Sequence, residues 1–203
     1  MPSEIIIICG HYGCGKTNLA LNLALESAGE GKKVTIMDMD IVNPYFRSSE
    51  YGNLLEQNGI ELISPVFANS TLDTPTLPPE IHSVFSKNDG IVYIDAGGDD
   101  AGITALGSIK DGIVEHGYEM IYVINKYRVL SQTPESVKKL LDEIESASGL
   151  KADRIINNSH LGVETTQETI YNSLEFAQEA SELTGLPLMY STIPDFAAGK
   201  GID

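Results

Sequence analysis

Cysteine is almost missing from this chain, and the two that occur, Cys9 and Cys14, stand without C-x-x-C spacing or a neighbouring His/Cys cluster. That excludes the usual zinc, iron–sulfur and redox-pair patterns and points to a reducing compartment. Basic residues are scarce as well. Only 13 Lys and Arg face 29 Asp and Glu, a formal net charge of -16, so the surface as a whole repels phosphodiester backbones and anionic headgroups. Non-specific nucleic acid and membrane surfaces are therefore not expected partners, and the pair Lys138-Lys139 reads as ordinary helix surface. Long hydrophobic runs are also lacking. The apolar stretch 5–8 is too short for a signal peptide or a span, and the Met-Pro-Ser-Glu start has no basic n-region. The expectation is a cytoplasmic protein. Its 203 residues, 42% of them hydrophobic, suffice for one sizeable core, so 1–203 is read as a single domain.

What the chain does have is short apolar runs at 5–9, 34–37, 60–63, 91–94, 120–124, 154–156 and 186–190. Several are β-branched and uninterrupted, as strands covered on both faces of a parallel sheet must be. Helical patterns lie between them. Val137, Leu140, Leu141 and Ile144 recur at helical spacing behind Thr133 as N-cap and Pro134 at the first helical position, with Gly149 as the stop. A second helix is predicted to start at Thr165, with Glu168 closing a capping box and Gly185 ending it. Alternating strands and helices predict an α/β fold, a doubly wound and mainly parallel sheet with ligands at the C-terminal ends of its strands. The stretch 64–79, with Pro65, Pro75, Pro78 and Pro79, is expected to be a long surface loop.

After the first strand comes Gly10-His11-Tyr12-Gly13-Cys14-Gly15-Lys16-Thr17, which satisfies G-x-x-x-x-G-K-[ST] at every fixed position. Glycines let successive backbone N–H groups turn inward around phosphate oxygens. Lys16 brings positive charge to the β and γ phosphates, and the Thr17 hydroxyl is a magnesium ligand. A helix over 17–25 points its positive end at the same place. The nucleotide-binding set is thus Gly10, His11, Tyr12, Gly13, Cys14, Gly15, Lys16, Thr17 and the following Asn18.

Magnesium bridging two phosphates needs hard oxygen ligands, and carboxylates stand at two strand ends. Asp95 follows Ile91-Val92-Tyr93-Ile94, an apolar strand with a terminal acid as in a Walker B motif, and Gly97 and Gly98 come next to swing an N–H toward a γ phosphate. Asp38 and Asp40 sit two apart after the strand at 34–37, so in extended chain they share a face. One would hold a magnesium-bound water and the other orient the attacking water. Each of these acids also has a plainer reading as turn chemistry.

The residues Gly10 to Thr17, then Asp38-Met39-Asp40-Ile41-Val42-Asn43-Pro44, Ile94-Asp95-Ala96-Gly97-Gly98 and Ile193-Pro194-Asp195 resemble the MinD, ParA and Mrp type of P-loop ATPases, the deviant Walker A class within the CobQ/CobB/MinD/ParA group. The likeness spans nearly the whole chain. It implies a SIMIBI-like P-loop NTPase that binds ATP and ADP with Mg, Asp38 as the acid of the magnesium shell and Asp40 as the water-orienting residue of the first switch. Asp95 would be the Walker B acid, and Gly97 and Gly98 the second switch. Lys16, Asp38 and Asp40 become the catalytic candidates, and Thr17, Asp38 and Asp95 the metal candidates. Asn157 and the segment around Pro194 match the walls of the base pocket. A homodimer and a further protein partner are implied.

The chain departs from that pattern at His11, where the class carries a second lysine that crosses a dimer to the partner's nucleotide. Histidine donates to phosphate when protonated, and a solvated loop residue is the plainer alternative. Arg47 is the candidate replacement cation, with pairing to Glu50 on a surface helix as the alternative. Neither the membrane-binding helix of MinD nor the cysteine pair of Mrp-type carriers has a counterpart. Asn125-Lys126-Tyr127-Arg128 begins like the guanine motif N-K-x-D and fails at the acid, which favours ATP over GTP. Three functions remain: a switch ATPase, slow without its partner; a small-molecule kinase or ATP-dependent ligase, with 64–79 shaping an acceptor site; and a regulatory module whose hydrolysis has decayed.

Overall fold

The computed structural model describes residues 4–39, 51–64, 81, 84–85 and 89–198. The proline-rich stretch, Asp40 and Arg47 lie outside those residues. All seven expected strands form, and they join one parallel sheet in the order β3-β2-β4-β1-β5-β6-β7. They are β1 (Glu4–Cys9), β2 (Val34–Met39), β3 (Glu61–Ile63), β4 (Ile91–Ala96), β5 (Glu119–Ile124), β6 (Arg154–Asn157) and β7 (Leu188–Ser191). β1 lies in the middle, between β4 and β5. The loop that follows it therefore opens where the chain winds away in both directions, the place where open α/β sheets bind ligands.

Every residue of β2 and β4 is buried, which is why their sequences show no polar alternation. One face of the sheet packs against α1 (Lys16–Gly29) and α2 (Gly52–Gln57), with Val34, Ile36, Ile91, Tyr93, Ile8 and Ile156 in the shared core. The other face meets α3 (Asp100–Ser108), α4 (Lys110–His116), α5 (Pro134–Ser148) and α6 (Gln167–Thr184), with Met37, Met39, Ile94, Tyr122 and Ile155 in its core. The sheet is thus doubly wound. Alternate residues along each strand belong to opposite cores, and this parity decides where each strand-end polar side chain points.

The boundaries of four elements, β2, β4, α1 and α6, differ from expectation in ways that bear on the site or its surroundings. β2 runs on to Met39 and β4 to Ala96, so Asp38 and Asp95 lie inside strands rather than after them. α1 continues to Gly29, since Ser27 and Ala28 carry its buried stripe one turn further. α6 begins one residue later than predicted: its N-cap is Thr166, in a reciprocal capping box with Thr169. Thr165 cannot serve because its hydroxyl is already held, donating to the Gly162 carbonyl and accepting from the Leu161 N–H. Glu168 is left as the acid of the first turn. α5 starts and stops as expected, with Thr133 as cap, Pro134 first and Gly149 in the left-handed region.

Candidate functional site

The loop after β1 turns on three glycines with positive φ, at 147° for Gly10, 75° for Gly13 and 91° for Gly15. Gly15 is the N-cap of α1, with no side-chain cap, and α1 carries no acid in its first turn. α3, α5 and α6 each have both. The first N–H groups of α1 are therefore left to an external anion, and the helix dipole favours one. Lys16 is 6% exposed, and its ammonium donates to the His11 carbonyl at 3.3 Å. The His11 ring stays local, with Nδ1 3.0 Å from the Tyr12 carbonyl. Tyr12 is exposed, Thr17 half-buried and Asn18 exposed. Cys14 and Cys9 are buried free thiols, and desolvation pushes both above the ordinary thiol range.

On one side of this loop stand the acids. Asp38 and Asp95 are register partners on β2 and β4, 2% and 1% exposed. Ile36 and Tyr93, two residues before them, belong to the α1-facing core, so parity turns both carboxylates to the face from which α1 and Thr17 rise. Gly97 is buried, and Gly98 presses against the phosphate loop. A Cβ on Gly98 would lie 2.7 Å from Lys16 Nζ and 2.7 Å from the Tyr12 N–H nitrogen. Only glycine fits there. Among the described residues no group of three or more His, Cys, Asp or Glu converges as a metal site. Thr17, Asp38 and Asp95 are the described residues that could hold a magnesium ion whose other ligands would come from phosphate and water.

On the other side lie the ends of β5, β6 and β7. Asn157 is fully buried, and both of its amide hydrogens are used internally, on Ser173 Oγ and Ser191 Oγ at 2.9 Å each, while its Oδ1 accepts from Ser159. Its parity is that of Ile155, toward α6, which turns it away from the phosphate loop. The neighbouring Asn158 faces the loop instead, donating to the Cys14 carbonyl at 2.7 Å, and its Oδ1 accepts from Thr192. Thr192 leads to half-buried Pro194, whose carbonyl accepts from Ala197. Thus the Pro194 segment is tied to the loop through Asn158, a residue the sequence reading passed over; strand parity alone would have found it.

Asn125 is buried and braces the segment that follows β5, accepting from the Tyr127 and His160 N–H groups. Lys126 turns to α6, where its ammonium donates to the Asn172 carbonyl at 2.6 Å, and the Tyr127 hydroxyl donates to the Thr169 carbonyl at 2.6 Å. Arg128 goes the opposite way, to Gly13. His160 is held below the ordinary histidine value of 6.5, by desolvation first and by the Arg128 charge second. A histidine depressed by folding is protonated first in the unfolded chain, so its contribution to stability is complete above 6.5 and is lost as pH falls below it. An NMR titration should place the His160 midpoint below 6.5, and Arg128→Ala should move it upward without fully restoring it, because burial remains.

No family model and no curated protein matches the chain. Solved structures do. The cell division protein FtsY of Thermotoga maritima superposes with a TM-score of 0.63 at 18% identity, over 96% of this chain and 63% of its own. The signal recognition particle 54 kDa protein of Aeropyrum pernix, solved with GDP, gives 0.65 at 18% identity, over 96% of this chain and 42% of its own. Chloroplast FtsY of Physcomitrella patens gives 0.65 at 13% identity, over 96% and 60%. The chain thus spans about two-fifths to just under two-thirds of these structures. At such identities the likeness is one of fold: the doubly wound, parallel α/β sheet is shared with these structures over nearly the whole of this chain.

Proposed function

We propose that the chain is a magnesium-dependent nucleotide switch that binds and hydrolyses ATP, in the manner of the MinD, ParA and Mrp ATPases. The observation that carries this reading is the packing of Gly98 against Lys16 Nζ and Tyr12. A phosphate that reaches the Lys16 ammonium lies against Gly97-Gly98, which joins β4 to α3. Occupancy of the site is thereby converted into a change in the α3 end of the surface, where a protein partner would read ATP from ADP.

In the reaction Lys16 and the loop N–H groups hold the β and γ phosphates and offset charge on the transferring group. Thr17, Asp38 and Asp95 would hold magnesium, which supplies further neutralisation of that charge. Asp40 orients the attacking water, and Gly97-Gly98 offers an N–H to the γ phosphate. A homodimer pairing two nucleotide sites would need a cation between them in place of the class lysine, and Arg47 is the candidate. GTP is the second reading, favoured by the GDP held in the superposed 54 kDa protein.

Phosphate release from MgATP and MgGTP, measured on the wild type and on Asp40→Ala, tests the proposal. The variant should keep nucleotide affinity and lose about a hundredfold in turnover, the scale of a positioned acid–base group. Equal turnover would return Asp40 to a structural role. Absence of hydrolysis by the wild type would leave a binding module, and label appearing on an added metabolite would favour a kinase.

A further inference from the structure

Within the nucleotide reading the site has two ends, and the sheet order tells them apart. Lys16 Nζ lies against Gly98 after β4, beside the acids of β2 and β4. A P-loop lysine marks the β and γ phosphates, so that side is the γ end. β5 and β6 lie on the opposite side of β1, and their following loops border the end to which the sugar and base must project.

Arg128 stands at that second end. A Cβ built on Gly13 would meet Arg128 Nε at 3.4 Å and Cζ at 3.6 Å, so the guanidinium lies along the outer wall of the phosphate loop. Its Nε is enclosed and has no hydrogen-bond partner among the described residues. No carboxylate pairs with it among the described ion pairs, although acids outnumber bases 29 to 13 in this chain. An arginine left without an acid in so acidic a protein, half-buried beside a phosphate loop, is placed for a ligand. Lys126 is engaged on α6, which leaves Arg128 as the cation of this segment that reaches the loop.

We propose that Arg128 is a specificity-determining residue that faces the nucleobase and selects adenine over guanine. Its position is where N-K-x-D would put the carboxylate that accepts from guanine N1–H and N2–H. A guanidinium has five donors and no acceptor. It meets those guanine hydrogens donor to donor, whereas on the same edge adenine presents the N1 lone pair, an acceptor, in place of guanine N1–H. The choice is made by the conflict with guanine as much as by the fit to adenine.

Calorimetric titration of the full chain with MgATP, MgGTP and inorganic tripolyphosphate tests this, on the wild type, Arg128→Ala and Arg128→Asp. The wild type should prefer ATP by about tenfold or more, the discrimination a hydrogen-bonding mismatch provides. Arg128→Ala should reduce that ratio to within about threefold of unity and leave tripolyphosphate binding within about twofold of wild type. Arg128→Asp should reverse the ratio toward GTP; a ratio within one variant cancels what the new charge does to the phosphates. Where Arg128→Ala does not fold, Arg128→Lys takes its place, keeping the charge without the fork and reducing the ratio several-fold. An unchanged ratio, or a wild type that prefers GTP, overturns the proposal. Tripolyphosphate weakened as much as ATP also overturns it, placing Arg128 on the phosphates. A wild type that binds neither nucleotide overturns the nucleotide reading itself and this inference with it.

Discussion

Lys16→Ala is expected to abolish tight MgATP binding, by about a hundredfold or more, while the thermal unfolding temperature stays within a few degrees of wild type. The side chain is buried yet belongs to neither hydrophobic core; its ammonium meets the His11 carbonyl at the mouth of α1. A buried charge held mainly by a carbonyl contributes little to folding, since its desolvation offsets what the single hydrogen bond returns. With a triphosphate in place the same ammonium is a charge-assisted donor. Truncating such a partner costs about 2–5 kcal/mol, and each 1.4 kcal/mol is about tenfold. Calorimetry and differential scanning on one preparation separate the two effects. A variant that binds like wild type would mean that the phosphate loop is a plain glycine turn.

Gly10→Ala should do the reverse and strike the fold. At φ 147° an L side chain is strained, and its Cβ would lie 2.4 Å from the Val123 carbonyl oxygen and 3.0 Å from Cys14 Sγ. The first neighbour is backbone of β5, the strand beside central β1, and cannot turn aside. β1 and β5 would have to separate where the sheet is covered on both faces. A loss of about 3 kcal/mol or more is expected, at the high end for single substitutions, read as a fall of about 6–12 °C in Tm. Nucleotide binding would fall with it. A variant with wild-type Tm and lost binding would show that Gly10 is needed only for the approach of phosphate.

The seven strands and the two capped helices were legible because each depends on local pattern: uninterrupted β-branched runs, Thr133 before Pro134, glycines past the last turn. The phosphate loop was legible because backbone chemistry fixes its residue types. The parity of the strand ends was harder to see. Asp38 and Asp95 read as residues after their strands and are instead buried register partners within them. Asn157 and Asn158 cannot be ranked by composition, yet Ile155 and Ile156 belong to opposite cores, so the first Asn goes to α6 and the second to the loop. Thr165 and Thr166 offer equal caps until the Gly162 carbonyl takes the first hydroxyl. Arg128 looked only like a broken motif, because its packing on Gly13 joins parts of the chain far apart in sequence.

Equilibrium titration of the wild-type chain with ATP, in the presence and absence of magnesium, is the measurement closest to the central claim. One nucleotide should bind per chain, with affinity that weakens when magnesium is chelated and disappears in Lys16→Ala. A wild-type chain that takes up neither ATP nor GTP, or a Lys16→Ala variant that takes up ATP as well as wild type, would contradict it.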